Sequence, residues 1–176
     1  PDLTTTPGTA ICFLRGTRIT TPAGPRAIED LAEGDLVTTL DHGPQPIRWI
    51  GSSRVAAQGA LAPIRIAAGH LGNLRPLWVS PNHRLLLCGL QAEVLFGEAE
   101  VLVPAKFLLD DARVTRQPQE EVEYFHLLLD RHEILLAEGA PAESLHLGQQ
   151  SLRALSPEAR AEIAAIFPTA PWTRAR

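Results

Sequence analysis

The chain has 176 residues, 16 basic and 20 acidic side chains, a net charge of −4, 45% apolar residues and only 5% aromatic ones. That length suits one domain with a sizeable core and short appendages. The mild negative charge argues against a nucleic-acid surface, the composition excludes a disordered or collagen-like chain, and no apolar run is long enough for a membrane span. There is no methionine and the first residue is Pro1, so we expect a piece of a longer protein.

In chain order, Pro1–Ile11 is small, polar and Thr-rich and reads as a flexible lead-in. Thr17–Thr21 is β-branched and runs into Pro22, Gly24 and Pro25, a strand followed by a turn. Glu33-Gly34-Asp35 is a turn before a strand at Leu36–Leu40, and Asp41–Pro46 is a further turn before a strand at Ile47–Ile50. Pro63–Ala67 alternates as a strand should. Leu77–Val79 leads into Ser80-Pro81-Asn82-His83, then a strand at Arg84–Leu87. Val94–Phe96 and Val101–Val103 suggest a hairpin about Gly97-Glu98, and Pro104–Leu109 one or two helical turns. Glu121–Leu129 and His132–Ala137 suggest a second hairpin about Asp130-Arg131. Ser156-Pro157 is a helix start, with Ser as the cap and Pro at the first helical position, for a helix over about 157–167 stopped by Pro168. Many short strands with one late helix indicate a mainly β domain, placed at 12–147, with 148–176 as a tail.

Three groups of residues could carry chemistry. Cys12 is a nucleophile only if a base or a lowered pKa supplies thiolate, and between Ile11 and Phe13 its plain role is a small buried hydrophobe. Ser80 and His83 flank a proline-forced bend, which lets a hydroxyl and an imidazole address one peptide group, although an S-x-x-H spacing alone is weak. His126 shares a strand face with Tyr124 and Leu128, in surroundings where an imidazole needs a partner. His132 and Asp130 lie near it across the expected hairpin tip, which by itself reads equally well as a polar turn. His42, His70 and His146 read as surface histidines, Cys88 as packing, and Glu120, Glu121 and Glu123 as solvated. A Cys12–Cys88 disulfide is possible on count alone, but two cysteines make no framework. Phosphate-loop, HExxH and GxSxG motifs are absent.

Taken in order, Cys12–Ile19, Pro22–Gly24 and Ile28–Val37 with its Gly34-Asp35 turn resemble the start of a Hint (hedgehog/intein) domain. Ser80–Arg84 resembles that family's T-x-x-H block with Ser for Thr, and Tyr124–Leu127, His132, Ala137 and Gly139 resemble its late hairpin block. The pattern is closest to bacterial Hint-type domains at the C-terminus of larger, often secreted proteins.

The resemblance implies a horseshoe-like all-β fold and self-processing by a single-turnover reaction. Cys12 would attack the carbonyl of Ile11 and convert the Ile11–Cys12 amide to a thioester. His83 would protonate the departing nitrogen or polarise the peptide, and Ser80 would hydrogen-bond it. His126 stands where many members carry Asp and would serve as base, with His132 a neighbour. The partners implied are the upstream segment of its own precursor and the water or thiol that resolves the thioester. No cofactor, metal, nucleic acid or membrane is implied, the chain is expected to be a monomer, and the localisation is extracellular. The only asparagines are Asn73 and Asn82, so the terminal Asn that splicing requires is missing and cleavage or transfer without splicing is expected. Two other readings stay open: an inactive module with a role in assembly or secretion, and a metal-responsive site on Cys12, His83, His126 and His132.

Overall fold

The computed structural model describes residues 11–146 and 155–166. The expected lead-in before Ile11 and the helix stop at Phe167-Pro168 lie outside the described residues. Within them the chain forms fourteen strands and two α-helices. In order these are β1 (Phe13–Leu14), β2 (Arg18–Thr21), β3 (Gly24–Ala27), β4 (Leu36–Thr39), β5 (Gly43–Pro46), β6 (Trp49–Ala57), β7 (Ile64–Ile66) and β8 (Leu77–Val79). There follow β9 (Arg84–Cys88), α1 (Leu90–Phe96), β10 (Glu100–Pro104), β11 (Val114–Arg116), β12 (Gln119–Leu128), β13 (Ile134–Ala137), β14 (Ala140–Glu143) and α2 (Pro157–Ile166).

The strands build two sheets. One runs β11-β7-β8-β1-β12-β6, the other β10-β9-β14-β13-β2-β3, with β4 and β5 attached through β13. The main core lies between them and contains Phe13, Ile19, Val37, Ile64, Leu85, Phe125, Leu127, Leu129 and Leu135. The end of β12 pairs with β1 at one edge and β6 at the other, and it is buried on both faces because separate apolar clusters pack on each. Phe125 and Leu127 enter the main core, while Tyr124 packs with Cys12 and Leu128 packs with Trp49 and Ile11. This alternation is the period-2 rule acting on a strand with two apolar surfaces.

Both expected hairpins are corrected. Residues 121–129 and 132–137 do not pair with each other: β12 pairs with β1 and β6, whereas β13 pairs with β14, β2 and β4. The tight hairpin is β13–β14. Its two-residue turn, Glu138-Gly139, has φ of 50° and 88°, the left-handed geometry that matches strand twist. Val94–Phe96 is not a strand but the end of α1, which sits between Gly89 and a left-handed Gly97 cap. The true partner of β10 is β9, with α1 as their connection. Asp41–Pro46 is only partly turn, since Gly43–Pro46 is a strand against β4, and the strand expected at Ile47–Ile50 runs from Trp49 to Ala57. The helical turn after Pro104 is a 3₁₀ turn at Ala105–Leu108.

Candidate functional site

Strand register brings the first group together. Phe13 pairs with Phe125 and Leu14 with Tyr124, so one step back sets Cys12 opposite His126. Directly opposed residues on one face are close enough to touch. Accordingly Cys12 Sγ lies 3.3 Å from His126 Nδ1. The same Nδ1 lies 3.2 Å from the carbonyl oxygen of Ile11. One ring nitrogen thus faces both the thiol sulfur and the oxygen of the preceding peptide.

The second group arrives on a turn. Ser80-Pro81-Asn82-His83 joins β8 to β9, with the His83 N–H donating to the Ser80 carbonyl at 3.1 Å. Ser at the first position and Pro at the second are favoured in such a turn. The Ser80 N–H donates to the carbonyl of Cys12 at 3.0 Å, and the Cys12 N–H donates to Ser80 Oγ at 3.0 Å. The expected contact of Ser80 with the Ile11–Cys12 peptide nitrogen is therefore present. His83 is fully buried against Phe13 and addresses two carbonyl oxygens, Cys12 through Nδ1 at 2.9 Å and Glu143 through Nε2 at 2.8 Å. Its contact is with the carbonyl of Cys12, one step beyond the nitrogen it was expected to protonate. Carbonyls only accept, so a neutral ring satisfies one of them and an imidazolium both.

The electrostatics follow from burial. Burial pushes the Cys12 thiol far up, opposed by Ser80, so the resting group is a thiol. Burial lowers His126 to about 4, opposed by its bond to Ile11 and helped by His83, so it is neutral and free to accept a proton near pH 7. Burial also lowers His83, against the pull of the Cys12 carbonyl and the Glu143 carboxylate.

His132 does not reach Cys12. Its Nε2 donates to Glu143 Oε2 at 2.8 Å and its ring meets His146 edge-on. Glu143 is a residue sequence reasoning missed. It is fully buried and also accepts from the Arg84 backbone N–H, Nε and guanidinium NH2, at 3.1, 2.8 and 2.7 Å. Burial pushes its carboxyl up, but His132, Arg84 and the nearby His83 bring it down to about 2. The available signal was an acid directly after the apolar stretch Ala140-Pro141-Ala142. Trp49 was also missed as a site residue. Its indole stacks 6.4 Å from the His126 ring, lying where any side chain on Gly51 would stand.

Of the remaining candidates, Asp130 is exposed and pairs with Arg48, and Glu123 holds Arg15 at 2.8 Å rather than being merely solvated. Cys88 is exposed, not packed, and both cysteines are free thiols. His42 and His146 are exposed and His70 is half-buried. Among the described residues no group of three or more His, Cys, Asp or Glu is arranged to hold a metal ion, and no helix is long and apolar enough to cross a membrane.

Residues 11–149 match the model of the Hint domain family. Among solved structures the chain is similar to the bacterial intein-like domain from Clostridium thermocellum, at 15% identity and a TM-score of 0.54, covering 77% of this chain and 98% of that one. It is also similar to the DnaB intein from Synechocystis sp. PCC 6803, at 10% identity and a TM-score of 0.50, covering 77% and 99%. No curated protein matches. The expected mainly β fold with a short C-terminal helix is the fold found.

Proposed function

The chain belongs to the Hint domain family, and we propose that it processes itself at the Ile11–Cys12 bond by an N-to-S acyl shift, without splicing. The observation that carries this reading is the convergence of the Cys12 thiol and the Ile11 carbonyl oxygen on one nitrogen of a neutral His126. Thiol and base are too far apart in acidity for a resting thiolate, so the proton leaves as the S–C bond forms. His126 Nδ1 takes that proton, and the new N–H faces the oxygen that gains charge, as an oxyanion donor should. The C–N bond then breaks and its nitrogen takes up the proton that His126 received from the thiol, leaving a thioester at Ile11, a free amine on Cys12 and a neutral imidazole. Ser80 Oγ is the side-chain group in contact with that nitrogen. His83 holds the other side of Cys12 by its carbonyl, which keeps the thiol in line with its target. Water or a small thiol resolves the thioester and releases the upstream segment. Asn73 is committed to the carbonyls of Ile66, Ala67 and Arg75, a structural rather than a reactive placement.

Mass spectrometry of the 176-residue chain with and without dithiothreitol tests this. Residues 1–11 are expected to be released faster with the thiol, not at all from Cys12→Ala, and at least about a hundredfold more slowly from His126→Phe. Equal release from Cys12→Ala would sink the reading.

A further inference from the structure

We infer that α2 and Trp49 close an apolar pocket around the Ile11 side chain, which selects a large aliphatic residue before Cys12 and keeps water from the thioester. The inference rests on the acyl shift proposed above and concerns where the acyl group sits during it. Ile11 is buried in a cluster with Trp49, Leu128, Leu145, Leu155 and Ile163, against which Ala159 and Ile166 pack. Leu155, Ala159, Ile163 and Ile166 are one face of the helix and its approach, Glu158, Arg160 and Ala161 are exposed on the other, and Glu162 stands at the margin between them. A ten-residue helix is marginal alone, so this contact is what holds it. One polar bond caps the helix and another ties it to the fold. Ser156 Oγ caps the Ala159 N–H at 3.1 Å, and Glu162 accepts from the Trp49 indole N–H at 2.8 Å.

The helix lies outside the 11–149 segment that matches the family, so this cover is a feature of this chain beyond the family match. Through Trp49 it is joined to the reacting groups, since the indole stacks beside His126. Ile11 is 8% exposed and Cys12 3% exposed. Holding the acyl side chain fixes the Ile11 carbonyl against Sγ and Nδ1. After the shift the same side chain stays in the same pocket, and the helix shields that side of the thioester. Hydrolysis, in which water adds to the Ile11 carbonyl and the Cys12 thiol leaves, is slowed by this cover.

The test follows release of residues 1–11 by mass spectrometry, separating the free acid from the dithiothreitol adduct. Four chains are compared: wild type, Ile11→Ala, Ile163→Asp and the Ile11→Ala/Ile163→Asp double variant. In the wild-type background Ile11→Ala slows thiol-dependent release about tenfold, the range one or two lost aliphatic contacts give. In the Ile163→Asp background that preference falls to within about twofold, and thiol-free hydrolysis rises about tenfold. Circular dichroism checks the fold. If Ile163→Asp unfolds, Glu162→Ala, which removes only the bond to Trp49, is expected to shift both readouts the same way by a smaller factor. Cys12-dependent release with an unchanged preference and an unchanged hydrolysis rate in the helix variant would overturn the pocket and leave the acyl shift standing. Release that ignores Cys12 would overturn the acyl shift itself.

Discussion

Glu143 shows how one buried charge organises the site from behind. Its carboxylate gathers Arg84 and His132, and its own backbone carbonyl meets His83. A buried carboxylate is tolerable only when its lone pairs are occupied, and here four donors occupy them. Replacing it by alanine strands a guanidinium and an imidazole beside an apolar strand. Urea unfolding of Glu143→Ala is expected to show a loss of about 3 kcal/mol, whereas an exposed pair such as Arg54–Glu121 should give under about 1 kcal/mol. A loss from Glu143→Ala no larger than that of Glu121→Ala would show the network to be ornamental. Cys12, Ser80, His83 and His126 were candidates by residue type, but their neighbours and spacing alone were weak signals, and it was the resemblance of the ordered blocks to Hint domains that singled them out. Glu143 was not, because a single acid in a short strand looks like any solvated acid until the fold buries it. His132 was legible as a site neighbour but attached to the wrong partner. Its distance to Cys12 depended on a hairpin that does not form.

That hairpin is the clearest case of element-scale reading losing to physics. Asp130-Arg131 looked like the turn because it is polar and flanked by apolar runs. The geometry instead favours Glu138-Gly139, where Gly139 accepts a φ of 88° that a side chain resists. The consequence reaches the site, because β14 carries Glu143 to His83 and β12 stays free to hold His126 opposite Cys12. Gly139→Ala is therefore expected to cost about 1 to 2 kcal/mol in a denaturant titration, more than Gly→Ala normally costs at a compatible site. A neutral or stabilising result would mean the turn relaxes without strain. The same conformational argument explains α1. Its exposed Val94-Leu95-Phe96 is a short apolar run that reads as a strand in sequence, but the left-handed Gly97 cap closes a helix there. The β-rich character survived these local errors because it rests on many segments rather than on one pairing, and the late helix because its Ser156-Pro157 start is a local signal that needs no partner.

For the molecule as a whole, the buried imidazoles set the acid limit. His126 has its pKa lowered from 6.5 to about 4 by burial, and His83 is lowered by the same cause. In the unfolded chain both titrate near 6.5, so between that value and the folded one the unfolded state binds more protons. Stability then rises with pH, is fully present above about 6.5, and is lost as the pH falls toward the folded pKa. For His126 the span of about 2.5 units corresponds to about 3 kcal/mol. Glu143 acts lower down, with stability present above 4.5 and lost toward about 2, so the two windows follow one another with the same sign. Thermal melts are expected to show a Tm that falls between pH 7 and pH 4.5, before carboxylates such as Glu143 contribute. His126→Phe, which cannot take up the proton, should flatten that slope and leave the part that His83 supplies. A slope unchanged in His126→Phe would place the acid sensitivity elsewhere. The same neutral His126 is the proposed base, so release of residues 1–11 should fail only as the pH approaches about 4, below the onset of the stability loss. Fold and chemistry therefore share one proton-binding site but lose function over different pH ranges, and measuring Tm and release on one pH series separates them.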